Sequence, residues 1–174
     1  MPIKQFNDYG EIIAVGSVSQ QRHTEAPPRY FPDGGFWLVN SAAGIVALRH
    51  ACPNGDHLLS WNNSAGQFTC PSNSSRFDRN GDALTLSGTR SLDRYVIQIV
   101  NSNGDIMAET DFGTGDPVRL DSLQKRIPHQ SPSLPSSNSS ADGATRALAV
   151  HPPLLVQVDT GRVIRGNTRI SPFR

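Results

Sequence analysis

Two cysteine–proline loops constrain this chain more than anything else in it. Cys52-Pro53-Asn54-Gly55-Asp56-His57 and Cys70-Pro71-Ser72-Asn73-Ser74-Ser75-Arg76-Phe77-Asp78 are joined by an apolar turn and a short strand through Trp61 and Phe68. Both lie within the stretch from Trp37 to Val100. Short apolar runs flank them, Phe36-Trp37-Leu38-Val39-Asn40 and Gly44 to Arg49 before, Tyr95 to Val100 after. Such runs with turn residues between them argue for an all-β sandwich or barrel. The 15 Gly and 13 Pro, against only 18% charged and 36% hydrophobic residues, agree with a loop-rich, mostly β chain.

Taken in order, residues 1–10 form a short arm, and Glu11 to Val18 is a strand in which Gly16 is expected to bulge. Residues 19–35 are a polar loop holding Pro27, Pro28, Pro32 and the turn Asp33-Gly34-Gly35. Phe36 to Asn40 and Gly44 to Arg49 make a hairpin. A subdomain follows from His50 to about Leu86. Tyr95 to Val100 is a half-buried strand that turns at Asn101-Ser102-Asn103-Gly104 into Asp105 to Glu109. Helix is confined to a turn near Asp121 to Lys125.

From Pro128 to Ala144 the Ser- and Pro-rich composition has no apolar period and reads as an extended linker. Order returns at Leu154 to Val158, and Asp159-Thr160-Gly161 leads into Arg162 to Gly166, the pattern of a β-hairpin. The predicted organisation is therefore a domain over residues 1–120, a linker over 121–149, and a hairpin with a basic tail over 150–174. That tail carries Arg162, Arg165, Arg169 and Arg174 against the single Asp159. A lone hairpin is marginal in water, so it has to dock. A long linker favours docking on a partner over adding an edge strand to its own sheet.

The order strand, cysteine loop, Gly-bearing strand, second cysteine loop and Phe77-Asp78-x-x-Gly81 resembles the cluster-binding half of a Rieske [2Fe–2S] protein, closest to the cytochrome bc type. The resemblance covers roughly Ile12 to Leu120. It implies a Rieske-like β sandwich with an inserted cluster-binding-type subdomain at about 50–86, to which the C-terminal hairpin is added. In that family two thiolates hold one iron and two imidazoles hold the other. Cys52 and Cys70 fall on the thiolate positions, but Asn54 and Asn73 fall on the imidazole positions. An amide offers iron a poor oxygen and no aromatic nitrogen. The cysteines of the disulfide that clamps the two loops in bc-type members are replaced by His57 and Ser72. Ser75 matches a serine that donates to a cluster sulfur, whereas Phe77 stands where high-potential members have tyrosine. The proline-rich loop that shields the cluster is shortened at Gly88-Thr89-Arg90-Ser91. The resemblance thus implies a degenerate site.

Without iron, Cys52 and Cys70 would face each other, since two sulfurs on one tetrahedral metal lie roughly 3.7 Å apart. A disulfide between them would close a loop of about 18 residues and add roughly 3 kcal/mol in the chain-entropy model. The other options are two buried reduced thiols, or zinc held by Cys52, His57, Cys70 and His50. Against the zinc set, His50 precedes the loop on a strand, and His57 sits at the former clamp, where a partner-facing surface residue is expected. Asn54 and Asn73 are expected to bond each other or loop N–H groups. Asp78, next to Arg76, is expected to cap the turn toward Gly81.

No motif points to an enzyme. GxSxG, P-loop and HExxH patterns are missing, and His23, His129 and His151 stand apart from thiols and acids. The net charge of +1 gives no field for nucleic acid. No run of about 18 apolar residues predicts a membrane span. The first residues show neither an apolar signal core nor twin arginines, so a peripheral or cytoplasmic location is expected.

The resemblance implies a cofactor-free structural or interaction subunit, associated with protein subunits of a membrane-bound redox complex in photosynthesis or respiration. The alternative is an electron carrier whose [2Fe–2S] cluster uses non-standard ligands. A third possibility is a general binding module that borrowed the fold.

Overall fold

The computed structural model describes residues 10–21, 26–55, 57–84, 90–120, 123 and 153–167. The arm (except Gly10), the linker, Asp56, Arg169 and Arg174 lie outside them. So does the expected turn near Asp121 to Lys125, apart from Leu123.

The described residues are nearly all antiparallel strand. In chain order these are β1 (Ile12–Ser17), β2 (Arg29–Phe31), β3 (Phe36–Ser41), β4 (Gly44–Arg49), β5 (Ser60–Asn62), β6 (Gln67–Thr69), β7 (Arg76–Phe77), β8 (Arg94–Val100), β9 (Ile106–Glu109) and β10 (Leu155–Ile164). A seven-stranded sheet runs β1-β10-β8-β4-β3-β2, with β9 also paired to β8, and β5-β6-β7 form a separate small sheet. The expected all-β class stands. A short 3-10 turn, Val18–Gln20, follows β1.

The hairpin of β3 and β4 decides the architecture because both of its faces are buried. Phe36, Leu38, Ile45 and Ala47 point into a core shared with Tyr95, Ile97 and Ile99 of β8 and Val156 and Val158 of β10. Their neighbours Val39, Val46 and Leu48 point the other way, into a second core with Cys52, Leu59, Phe68, Cys70, Phe77, Ala83 and Leu92. Side chains alternate along a strand, so a strand covered on both faces reads as an unbroken apolar run, as Ile45-Val46-Ala47-Leu48 does. The big sheet curls over the first core and presents its outer face to the cysteine-bearing subdomain.

Gly16 sits at φ +121 where the β1–β10 register shifts, confirming the bulge. Within the polar loop of residues 19–35 the sequence missed β2, which pairs Tyr30 with Trp37. Its length of three residues, next to Pro27, Pro28 and Pro32, hid it.

The C-terminal hairpin requires correction. Residues 155–164 form one strand, β10, inserted between β1 and β8 in the chain's own sheet. The Asp159-Thr160-Gly161 segment does not reverse the chain. It bulges, shifting the β10–β8 register between Asp159 and Val163. Thr160 holds the bulge by donating from Oγ1 to the Glu11 carbonyl (2.8 Å) while accepting from the Glu11 N–H (3.0 Å). The end of β10 is fastened by Asp93, whose Oδ1 accepts from the Gly166 N–H at 2.9 Å and whose carboxylate also pairs with Arg90. No helix among the described residues is long and apolar enough to cross a membrane.

Candidate functional site

The two cysteine loops meet at the tip of the subdomain. In the first, Cys52 N–H donates to the His57 carbonyl (2.8 Å) and Gly55 N–H to the Cys52 carbonyl (3.2 Å). In the second, Cys70 N–H donates to Ser75 O (2.9 Å) and Ser74 N–H to Cys70 O (3.0 Å). Each loop is thus a closed backbone turn that turns its cysteine inward. Cys52 is 2% and Cys70 1% exposed, and both are free thiols beneath Phe68, Phe77 and Leu92.

Asn73 ties the loops together. Its Oδ1 accepts from the Ser75 N–H at 3.0 Å, and its Nδ2 donates to Cys52 Sγ at 3.6 Å. The first bond fixes the second loop in an Asx turn, and the second crosses to the first loop. Asn54 contributes through its backbone, whose N–H also reaches the Cys52 sulfur. Asn73 thus bonds a loop N–H, as one of the two expectations had it, and in addition both asparagines converge on one sulfur. Burial pushes the Cys52 thiol up; the Asn54 N–H pulls it down, the adjacent Cys70 raises it and Asn73 lowers it, leaving it above its ordinary value. It stays protonated near neutrality and is a poor nucleophile there.

Replacing Asn73 by Ala should cost about 1–2 kcal/mol, because the largely buried Ser75 N–H loses its acceptor. Urea unfolding measures this, and an unchanged midpoint would mean that another group holds the loop.

The cluster implied by the resemblance does not suit this donor set. Cys52 and Cys70 can supply thiolates. Asn73, however, presents an N–H to sulfur, with its oxygen engaged by backbone, and has no lone-pair nitrogen to offer. Neither nearby histidine takes the place of an imidazole ligand. His50 turns to Tyr30, with 2.7 Å between Nδ1 and the phenol oxygen, and His57 is solvent-exposed. Among the described residues no three His, Cys, Asp or Glu side chains are grouped to hold a metal ion.

Asp78 caps its turn as expected, accepting at Oδ1 from the Asn80 N–H (2.8 Å) and the Asp82 N–H (3.0 Å) while its carbonyl accepts from Gly81 (3.0 Å). Phe77 is fully buried in the cysteine core, where a hydroxyl would need a partner. Ser75 is buried and serves through its backbone. Of the tail arginines proposed for partner binding, Arg162 is engaged within the chain. It pairs with Glu109 at 2.8 Å and lies over the Phe112 ring at 5.6 Å, holding the Glu109 carboxyl below its usual range with help from Gln98. Arg165 is exposed.

The sequence did not point to the Tyr30–His50 pair, because β2 was read as loop. Burial, and next to it the Arg49 charge, hold His50 below its ordinary 6.5. In acid the unfolded chain therefore takes up this proton before the folded chain does. Stability from neutral His50 is present above pH 6.5 and is lost as pH falls through that value toward the folded one. The drop in melting temperature between pH 7 and pH 5 is expected to be smaller in His50→Gln than in the natural chain; equal drops would assign acid sensitivity elsewhere.

No family model matches the chain. No curated protein matches it in sequence. Among solved structures, the crystal structure of the cyanobacterial plasma membrane Rieske protein from Synechocystis is similar to it. The match covers 54% of this chain and 95% of that one, at 22% identity and a TM-score of 0.37. In this chain the site is built from the two cysteines and Asn73.

Proposed function

We propose that this chain is a cofactor-free, Rieske-like structural or interaction subunit, an accessory part of a membrane electron-transfer complex. One observation carries the reading: Asn73, at a family imidazole position, spends both ends of its amide on holding the loops together. The family resemblance supplies the association with a redox complex. The tip formed by residues 52–55, 57 and 70–75, with exposed His57 and Leu58, is the face offered to a protein partner. With Cys52 and Cys70 side by side in the buried cluster, a disulfide between them is the covalent replacement for the cluster's structural role where the compartment is oxidising.

The test is iron and acid-labile sulfide per chain on protein isolated without oxygen, together with a visible spectrum. Near-zero iron and no charge-transfer bands are expected. Two irons and two sulfides per chain would overturn the reading and make the protein an electron carrier with unusual ligands.

A further inference from the structure

An aromatic path leads from the cysteine core to a hydrogen-bonded tyrosine at the sheet edge. Trp61 meets Phe68 at 4.8 Å between ring centroids, Phe68 meets Trp37 at 5.7 Å, and Trp37 meets Tyr30 at 4.9 Å. Phe68 belongs to the same buried cluster as Cys52 and Cys70, and Trp37 packs against it. Tyr30 lies on β2, an edge strand of the large sheet, and is 39% exposed. Its hydroxyl is 2.7 Å from Nδ1 of His50, and the two rings stack at 5.7 Å.

These residues differ in what they can do with a proton. A phenol gives up an electron far more readily when its proton has a base to go to. His50 stands where that base is needed: it is 6% exposed, and with its proton on Nε2 it accepts from the phenol at Nδ1. The Trp37 indole N–H is buried and has no hydrogen-bond partner among the described residues, so an oxidised Trp37 keeps its proton. An electron vacancy on Trp37 therefore passes to Tyr30, where proton loss traps it.

We propose that Tyr30 is a redox-active tyrosine with His50 as its proton acceptor and Trp37 as its link to the cysteine core. A high-potential one-electron oxidant of the metal-complex class takes one electron from Tyr30. The phenolic proton moves to His50 Nδ1, giving a neutral tyrosyl radical beside an imidazolium. One electron returned from a donor restores the phenol, and the proton goes back. The path draws oxidising equivalents away from the Cys52 and Cys70 thiols toward the surface. It does not depend on whether iron is bound.

The full chain can be oxidised with a photogenerated ruthenium(III) polypyridyl complex and freeze-trapped for electron paramagnetic resonance. The sequence has three tyrosines, Tyr9, Tyr30 and Tyr95, so the signal can be assigned. A tyrosyl signal is expected in the natural chain and should be lost in Tyr30→Phe. His50→Gln should slow radical formation about 100-fold or more, the low end of what a positioned proton acceptor contributes. Because His50 is buried, a solvent deuterium isotope effect on the natural chain gives a readout that needs no variant. An undiminished tyrosyl signal in Tyr30→Phe would overturn the proposal, as would the absence of any isotope effect.

Discussion

A chain ending at residue 152 is expected not to fold. That truncation removes β10, which pairs with β1 on one side and β8 on the other. It strips Val156 and Val158, both fully buried, and nearly buried Ile164 from the structure. Each such side chain contributes about 1.5–3 kcal/mol by burial, before the two lost ladders are counted. The sum approaches the whole stability of an ordinary domain, about 5–15 kcal/mol. Circular dichroism of the truncated chain should show no cooperative thermal transition. Retention of one would mean that β10 is dispensable, and would reopen docking of the tail on a partner.

The second large effect is expected at Phe68. Its ring is fully buried and sits between Trp37 and Trp61, edge-on to both. Phe68→Ala should cost about 3–5 kcal/mol, the usual range for removing a buried aromatic ring. For a chain of this size that lowers the melting temperature by roughly 10 °C. A loss below about 1 kcal/mol would show that the small sheet collapses onto the cavity, and the cysteine core would then be less tightly built than its burial suggests.

The parts of this fold that the sequence discloses are those where one short segment answers its own question. Ile45-Val46-Ala47-Leu48 is apolar throughout because both faces are covered, and Gly16 marks a bulge because its φ is closed to most side chains. The cysteine loops were legible through Cys-Pro and the residues that follow. What stayed hidden depends on distant chain. Leu155 to Val158 reads as a strand, yet nothing local states that it lies between β1 and β8. Asp159-Thr160-Gly161 has turn composition, and only the Glu11 backbone, supplied from the other end, makes it a bulge. At the site, the two cysteines and Asn73 were named from the sequence. The convergence of Asn73 and the Asn54 backbone on a single sulfur needs the two loops in place. Tyr30 and His50, 20 positions apart, meet because β2 and β4 both pair with β3.

The position of β10 also fixes when the molecule can be completed. Glu11 and Thr160 bond across 149 positions of chain. At about 5–20 residues per second, synthesis separates them by on the order of ten seconds. Throughout that interval β1 has no strand to join, and one edge of β8 stays open beside Ile97 and Ile99. The cysteine subdomain, made of neighbours in sequence, has its strands available long before. Closure of the large sheet is thus a late event that waits for β10 to leave the ribosome. Pairing at such separation is slow, and the half-made protein meets the cell with strand edges bare.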